Sequence, residues 1–275
     1  MGSIARKLRR EQDKTIGLVP TMGALHEGHL SLIREARQMC DVVIVTIFVN
    51  PAQFGRGEDF ERYPRDLTAD TSLLTDYNVD YIFAPGVEEI YPDGFSTYVY
   101  VENLSDSLEG AARPGHFRGV ATIVAILLNT IRPDFAFFGQ KDAQQIAVLK
   151  RMVKDLAFET ELVTMPTVRE ESGLAMSSRN AYLSDKEKAA AAVIYQALRE
   201  AKLAYRDGER HAARLAAIIS DKINRELLAR LEYVAVTDAE TLVPLDRIED
   251  ETVLVAVAVR FGNTRLIDNT ILNKK

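Results

Sequence analysis

The chain has 275 residues, 47% hydrophobic and 27% charged, which suits an ordinary folded protein rather than a disordered or fibrous one. Forty acids against 34 Lys and Arg leave a net charge of −6, which argues against nucleic-acid binding by bulk electrostatics but permits local basic pockets. One cysteine, Cys40, rules out an intrachain disulfide framework and a multi-cysteine zinc site, and no apolar run approaches the ~20 residues of a membrane span.

The basic opening (Arg6, Lys7, Arg9, Arg10) has no apolar segment behind it and does not read as a secretory signal. A reduced, cytoplasmic protein is the expectation. Next, residues 16–20 read as a short strand and 30–40 as a helix with Leu30, Ile33 and Ala36 inward. The nearly unbroken β-branched run 42–49 marks a strand covered on both faces. A polar stretch with Gly55 and Gly57 leads to a helix at 66–77 carrying Leu67, Leu73, Leu74 and Tyr77. A strand at 81–84, a turn at Pro92-Asp93-Gly94 and an extended stretch at 98–101 follow. Residues 120–131 are too apolar for a surface helix. Then come a strand at 134–138, a helix at 143–156 and a strand near 161–164. Strands alternating with helices at this spacing predict parallel βαβ units in a doubly wound α/β sheet.

The character changes near residue 184. Ser184-Asp185-Lys186-Glu187 fits a capping box, and two long helical stretches follow at 185–206 and 209–229, broken at Asp207-Gly208. Strands at 233–236, 253–259 and 265–267 close a smaller α+β unit. The expected division is a Rossmann-like domain at 1–178 and a smaller domain at 179–275.

Chemistry concentrates at a few turns. The first βα turn reads Pro20-Thr21-Met22-Gly23-Ala24-Leu25-His26-Glu27-Gly28-His29. Ligands collect at the carboxyl ends of parallel strands, where helix N-termini point N–H groups at anions. If His26 and His29 both lie in the helical start, their spacing puts them on nearly one face, able to donate to a phosphate. The zinc-protease spacing H-E-x-x-H is absent. Gln53, in Asn50-Pro51-Ala52-Gln53-Phe54, either binds a small polar substrate or sits in a plain turn. In Gly139-Gln140-Lys141-Asp142-Ala143-Gln144-Gln145, Lys141 offers a charge to phosphates and Asp142 either holds Mg²⁺ or caps a helix. Ser177 and Arg179 could hold a triphosphate, or their loop could be a linker. Arg113-Pro114-Gly115-His116-Phe117-Arg118 is a similar basic loop that either touches substrate or caps the helix behind it.

His26-x-Gly28-His29 resembles the H-x-G-H signature of the nucleotidyltransferase superfamily. The fuller strings Val19 to His29, Phe48 to Phe54, Gly139-Gln140-Lys141-Asp142 and Gly173-Leu174-Ala175-Met176-Ser177-Ser178-Arg179-Asn180 are far narrower. Together with Arg265-Leu266-Ile267-Asp268-Asn269 they resemble the pantothenate synthetase (pantoate–β-alanine ligase) family. The likeness runs from about residue 16 to the C-terminus, and the stretch before Ile16 is shorter than the family's opening segment. The resemblance implies a Rossmann-like domain with a C-terminal lid, usually in a homodimer, and ATP-dependent condensation of pantoate with β-alanine through pantoyl adenylate. It implies ATP binding by Met22, Gly23, Ala24, Leu25, His26, Glu27, Gly28 and His29, by Gly139, Gln140, Lys141 and Asp142, and by Val168, Met176, Ser177, Ser178 and Arg179. His29 is the implied catalytic hydrogen donor, with His26, Lys141 and Arg179 beside it. Gln53 and Gln145 match pantoate-binding glutamines, Gln53 also lying near β-alanine. Mg²⁺ is expected on the ATP phosphates, near Asp142. Neither nucleic acid nor membrane is an expected partner. The rival readings are a nucleotidyltransferase with a stable nucleotidyl product and a non-catalytic ATP sensor.

Overall fold

The computed structural model describes residues 1–273; the side chains of residues 9–12, with Arg9 and Arg10 of the basic opening, and residues 274–275 lie outside the described set. The chain divides into two compact units, Met1–Gly139 with Val148–Pro166, and Gln140–Ala147 with Thr167–Lys275. The second unit thus takes up the chain at Thr167 and also takes a piece near residue 140, whereas the sequence reading places a single division at 178/179.

The first unit is built on five parallel strands: β1 (Ile16–Thr21), β2 (Val42–Ile47), β3 (Tyr81–Phe83), β4 (Phe135–Gly139) and β5 (Glu161–Met165). Their order is β3-β2-β1-β4-β5, so the connections reverse direction between β1 and β4. That is the switch point where doubly wound sheets bind ligands, outside the carboxyl ends of the strands. The helices are α1 (Gly2–Gln12), α2 (Glu27–Met39), α3 (Leu67–Thr75), α4 (Val87–Ile90), α5 (Leu108–Ala112), α6 (His116–Ile131) and α7 (Ala143–Asp155), the last beginning in the other unit. In β1 and β2 the run of Ile, Leu and Val is buried on both faces, as a central parallel strand requires. Val19, Ile33, Ala36, Val45, Leu74 and Phe137 meet in one fully buried cluster. Each large side chain so buried contributes about 1.5–3 kcal/mol.

The second unit carries α8 (Asp185–Ala191), α9 (Val193–Arg206) and α10 (Ala212–Asn224), then an antiparallel sheet of β6 (Ala229–Asp238), β7 (Val253–Phe261) and β8 (Thr264–Leu272) in the order β6-β7-β8. Its core joins Ile194, Leu198, Leu215 and Ile219 to Val255 and Val257. The Ser184–Glu187 capping box is present, Ser184 N–H donating to Glu187 Oε2 at 2.9 Å and Glu187 N–H to Ser184 Oγ at 3.4 Å.

Leu67, at the start of α3, is 50% exposed. Residues 98–101 lie outside both sheets, and the Val99 N–H goes to Thr122 Oγ1. Two expectations need correction. The first long helical stretch breaks at Ala192, and the second ends at Asn224 because 229 onward pairs with β7. The opening helix α1 was not anticipated. No helix among the described residues is long and apolar enough to cross a membrane.

Candidate active site

The turn after β1 is held by residues from three parts of the first unit. Thr21 Oγ1 donates to Thr46 O at 2.7 Å and accepts the Gly23 N–H at 3.2 Å. Gly23 has φ +80°, and a Cβ there would stand 2.8 Å from Asp70 Oδ2, so both backbone and space demand glycine. Asp70, in α3 and only 6% exposed, accepts the N–H groups of Ala24 at 3.0 Å and Leu25 at 2.9 Å.

These contacts deliver the chain to an unusual helix start. Only His29 lies in α2; His26 is its extended N-cap, with φ −141° and ψ 174°. Its Nδ1 accepts the Gly28 N–H at 3.1 Å, and His29 Nδ1 accepts the His26 N–H at 3.3 Å. This is a capping box made of two imidazoles, with ring centroids 4.1 Å apart. A ring nitrogen that accepts an N–H carries no proton, so in each neutral ring Nε2–H is the donor. The cap therefore sets the tautomer of both histidines at a helix N-terminus, where negative charge is favoured.

Gln53 lies in a 3-10 turn, Pro51–Gln53, after β2. Asn50, 1% exposed, donates from Nδ2 to Gln53 Oε1 at 2.9 Å and to Gly119 O at 3.1 Å, and its Oδ1 accepts from Tyr91 OH at 2.8 Å. With its oxygen so engaged, Gln53 presents its NH₂, which reaches Met22 Sδ at 3.2 Å. The turn thus meets Met22 of the histidine segment. Gly119 of α6 lets the helix pack against it: a Cβ there would lie 2.3 Å from Ala52 O and 2.5 Å from Gln53 N. The basic loop before α6 turns inward on the same segment. Arg113 makes a two-pronged pair with Glu58, both bonds 2.7 Å, and His116 Nδ1 donates to Gln53 O at 2.8 Å. Arg113 Nη1 donates to His116 Nε2 at 3.1 Å, which requires a neutral ring. Burial, reinforced by the Arg113 charge, pulls the His116 pKa down to about 4. Burial alone would raise Glu58, but the Arg113 hydrogen bonds and charge outweigh it and hold the carboxyl below its ordinary value.

In the second unit, Gln140, Lys141 and Asp142 form a 3-10 turn leading into α7, whose first turn holds the half-buried Gln145. Lys141 Nζ lies 3.6 Å from Asp142 Oδ1, and Asp142 is about half-exposed. Gly139, the residue before this turn, ends β4 in the first unit. The loop from Val168 to Asn180 folds back on itself: Met176 N–H donates to Val168 O at 3.0 Å, and Asn180 Nδ2 donates to Glu170 Oε1 at 3.0 Å and Ala175 O at 3.1 Å. Ser177 caps the 3-10 turn Ser178–Tyr182 by accepting the Arg179 N–H at 3.3 Å. Among the described residues no group of three His, Cys, Asp or Glu side chains is placed to hold a metal ion.

Sequence reasoning missed Asp70, Asn50, Glu58 and Tyr91, all of which hold site segments. Only Asp70 carried a local signal, an acid four residues before the core residue Leu74 and so on the same helix face.

The model for the Pantoate-beta-alanine ligase family matches residues 1–271. The chain is 56% identical over 263 residues to pantothenate synthetase of Thermotoga petrophila, covering 96% of this chain and 94% of that one. It is 53% identical over 265 residues to that of Pelotomaculum thermopropionicum, with the same coverages. The crystal structure of pantothenate synthetase from Thermus thermophilus matches with 47% identity and a TM-score of 0.91, over 97% of this chain and 96% of that one. Pantoate-beta-alanine ligase from Francisella tularensis, complexed with Beta-gamma ATP and Beta-alanine, matches with 36% identity and a TM-score of 0.80, over 98% and 94%. With an imidazole-capped helix start at the switch point of a doubly wound sheet, and likeness along nearly the whole chain, the chain belongs to the pantoate-beta-alanine ligase family.

Proposed function

We propose that this ligase, which joins pantoate to β-alanine, works in two steps through pantoyl adenylate and consumes ATP. In the first, a carboxylate oxygen of pantoate attacks the α-phosphorus of ATP and the bond to pyrophosphate breaks. In the second, the neutral amine of β-alanine attacks the acyl carbon, the nitrogen gives up one proton to solvent, AMP leaves with the electron pair of the acyl–oxygen bond, and pantothenate remains. Adenylation is needed because a carboxylate oxygen is a poor leaving group. The protein's part is to position the reactants and stabilise negative charge around phosphorus.

The observation that supports this reading best is the imidazole capping box. Both rings have their Nε2–H set as donor at the N-terminus of α2, behind the carboxyl end of β1. His29 is assigned as the donor to the α-phosphate, with His26 beside it. ATP is assigned to residues 22–29, 139–142, Val168 and 176–179, with Lys141 and Arg179 supplying charge to its phosphates. Pantoate is assigned to Gln53 and Gln145, and β-alanine to Gln53. The ATP analogue and β-alanine bound by the Francisella tularensis ligase support the choice of substrates. Mg²⁺ enters with ATP; held by phosphates and water it needs only one or two protein carboxylates, and Asp142 is the acid this stretch provides. The proposal carries the family's remaining features with it: a lid formed by residues 179–275, a homodimer and a cytoplasmic location.

Labelled pyrophosphate should exchange into ATP when pantoate is present and β-alanine absent, and not without pantoate. His29→Ala should slow this exchange by about 10²–10³, the usual cost of one preorganised donor. Adding β-alanine should yield AMP and pantothenate in equal amounts. A stable nucleotidyl product in place of AMP would favour the nucleotidyltransferase alternative. Pantothenate formed with no pantoate-dependent exchange would overturn the order of steps.

A further inference from the structure

The string Arg265-Leu266-Ile267-Asp268-Asn269 has no part in the chemistry above, yet two of its side chains reach the segments assigned to the nucleotide. Asp268 and Asn269 are adjacent in β8 and buried, 4% and 5% exposed. Asn269 Nδ2 donates to the backbone carbonyls of Gln140 and Lys141, both at 2.9 Å, and its Oδ1 accepts from Gln140 Nε2 at 3.2 Å. Both amide hydrogens are used, and the 3-10 turn carrying Lys141 is gripped at two successive carbonyls. Asp268 takes the guanidinium of Arg169 in two bonds, at 2.6 and 3.1 Å. Arg169 also donates to Gly173 O at 3.1 Å, lies 4.1 Å over the Tyr195 ring and pairs with Ala175 across an isolated bridge. It therefore fixes the stem of the loop that leads to Ser177 and Arg179. Asp268 Oδ1 further accepts the Asn269 N–H at 2.8 Å, tying the two anchors together.

A lysine is a point charge on a flexible four-carbon stem, so the place of its backbone decides what its ammonium can reach. A buried Arg–carboxylate pair adds little stability over apolar residues of the same volume, whereas its bidentate geometry fixes orientation. We propose that Asp268 and Asn269 are positioning residues for the nucleotide. From one strand, adjacent side chains set the backbone of the Lys141 turn and of the loop bearing Arg179. This rests on the reading of Lys141 and Arg179 as phosphate ligands.

The test compares Asn269→Asp, Lys141→Ala and the double variant of the full-length protein in pantoate-dependent pyrophosphate exchange, with ATP and pantoate varied in turn. Asn269→Asp keeps the volume but sets a carboxylate against two carbonyl oxygens. It should lower kcat/KM for ATP by about 10- to 100-fold. The KM for pantoate should stay within about twofold, and the double variant should be no worse than Lys141→Ala by more than about twofold, because a misplaced lysine and an absent one lose the same contact. If Asn269→Asp does not fold, as far-UV dichroism would show, Asn269→Ser takes its place in the same cycle. Asp268→Asn with Arg179→Ala forms the parallel cycle and should be equally non-additive. Fully additive losses, or equal losses toward pantoate and ATP, would overturn the positioning role. Lys141→Ala with no effect on ATP use would instead refute the phosphate reading, and the two failures are distinguishable in one data set.

Discussion

Asp70→Asn tests whether the histidine turn is held from outside or holds itself. The carboxylate accepts two backbone N–H groups, from Ala24 and Leu25, immediately before the capping box. Ala24 stands at φ +50°, a left-handed conformation that costs an L-residue roughly 1–2 kcal/mol and needs something to keep it. Asparagine keeps the volume and one acceptor but turns an NH₂ toward the other N–H. Hydrogen bonds to a charged group contribute about 1.5–3 kcal/mol, and an orphaned buried donor costs about 1–3 kcal/mol. We therefore expect a loss of roughly 2–4 kcal/mol, or about 5–15 °C in the unfolding midpoint for a unit of this size. Leu25 precedes His26, so the imidazole cap moves with it, and a displacement of about 1 Å costs on the order of 10²-fold in rate. Pantoate-dependent pyrophosphate exchange, measured well below the lowered midpoint, should fall about 10- to 100-fold. Asp66→Ala is the control. It removes the α3 N-cap bond to Ala69 N–H, costs about 1 kcal/mol, and should leave exchange unchanged. A folded Asp70→Asn protein exchanging at the wild-type rate, or an equal loss in Asp66→Ala, would refute the reasoning.

Gln53→Ala should weaken pantoate use by about 10- to 100-fold and ATP use much less, since the amide is assigned to the acid; steady-state titration of each substrate checks it, and a larger penalty on ATP would put Gln53 in the wrong pocket. Gly119→Ala drives a Cβ into the Ala52–Gln53 backbone and should reproduce the pantoate defect while destabilising by about 1–3 kcal/mol, seen as a lower urea midpoint. His116 titrates near 4 when folded against about 6.5 unfolded, so its contribution is complete above pH 6.5, drains as pH falls toward 4 and is constant below. At about 1.4 kcal/mol per pH unit this amounts to roughly 3 kcal/mol, and Arg113, Glu58 and Glu109 are the charged groups around the ring. Urea midpoints between pH 7 and 4.5 should therefore fall more steeply for wild type than for His116→Gln; parallel curves would remove His116 as the cause. Backbone amides of 168–180 should exchange hydrogen more slowly with Mg-ATP than without, and equal protection would count against a nucleotide-ordered loop.

Most of the sheet is legible because its signals are local. The β-branched run 42–49 marks a doubly covered strand, although the strand itself ends at Ile47, and Ser184 with Glu187 marks the start of α8 at Asp185. The histidine turn stands out in the sequence as a candidate anion site, but its geometry does not: that His26 caps rather than enters the helix goes with the hold of Asp70 on Leu25, some 45 residues away in sequence. Residues 98–101 have strand-forming residues, yet the Val99 N–H is taken by a threonine of α6 and no ladder forms. The opening helix is polar over most of its length and offers few apolar residues to signal it; among its described side chains Ala5 and Leu8 are buried. Asn269 lies about 130 residues from the turn it grips, a distance no periodicity can signal.

The net charge of −6 needs reconciling with a polyanionic substrate, and the acids of the site segments supply the answer. Asp70 is spent on two backbone N–H groups, Glu58 on Arg113, Asp268 on Arg169, and Glu170 on Lys188 at 3.0 Å and on Asn180. Glu58, Asp268 and Glu170 are thus neutralised by cations, and Asp70 is committed to two backbone donors, so each of these four carboxylates is turned to holding a loop. The cations divide the same way. Arg113 and Arg169 are locked in bidentate pairs, so they build the site. Lys141 faces only a half-exposed carboxylate at 3.6 Å, a contact of the kind that contributes about 0–1 kcal/mol. A triphosphate can draw that ammonium away at small cost, whereas withdrawing Arg169 would strand a buried charge. Lys141→Arg should therefore be poorly tolerated in exchange despite keeping the charge, because the larger planar head no longer matches a turn set for a compact one. Exchange by that variant at the wild-type rate would mean that charge alone, without the placement Asn269 imposes, suffices.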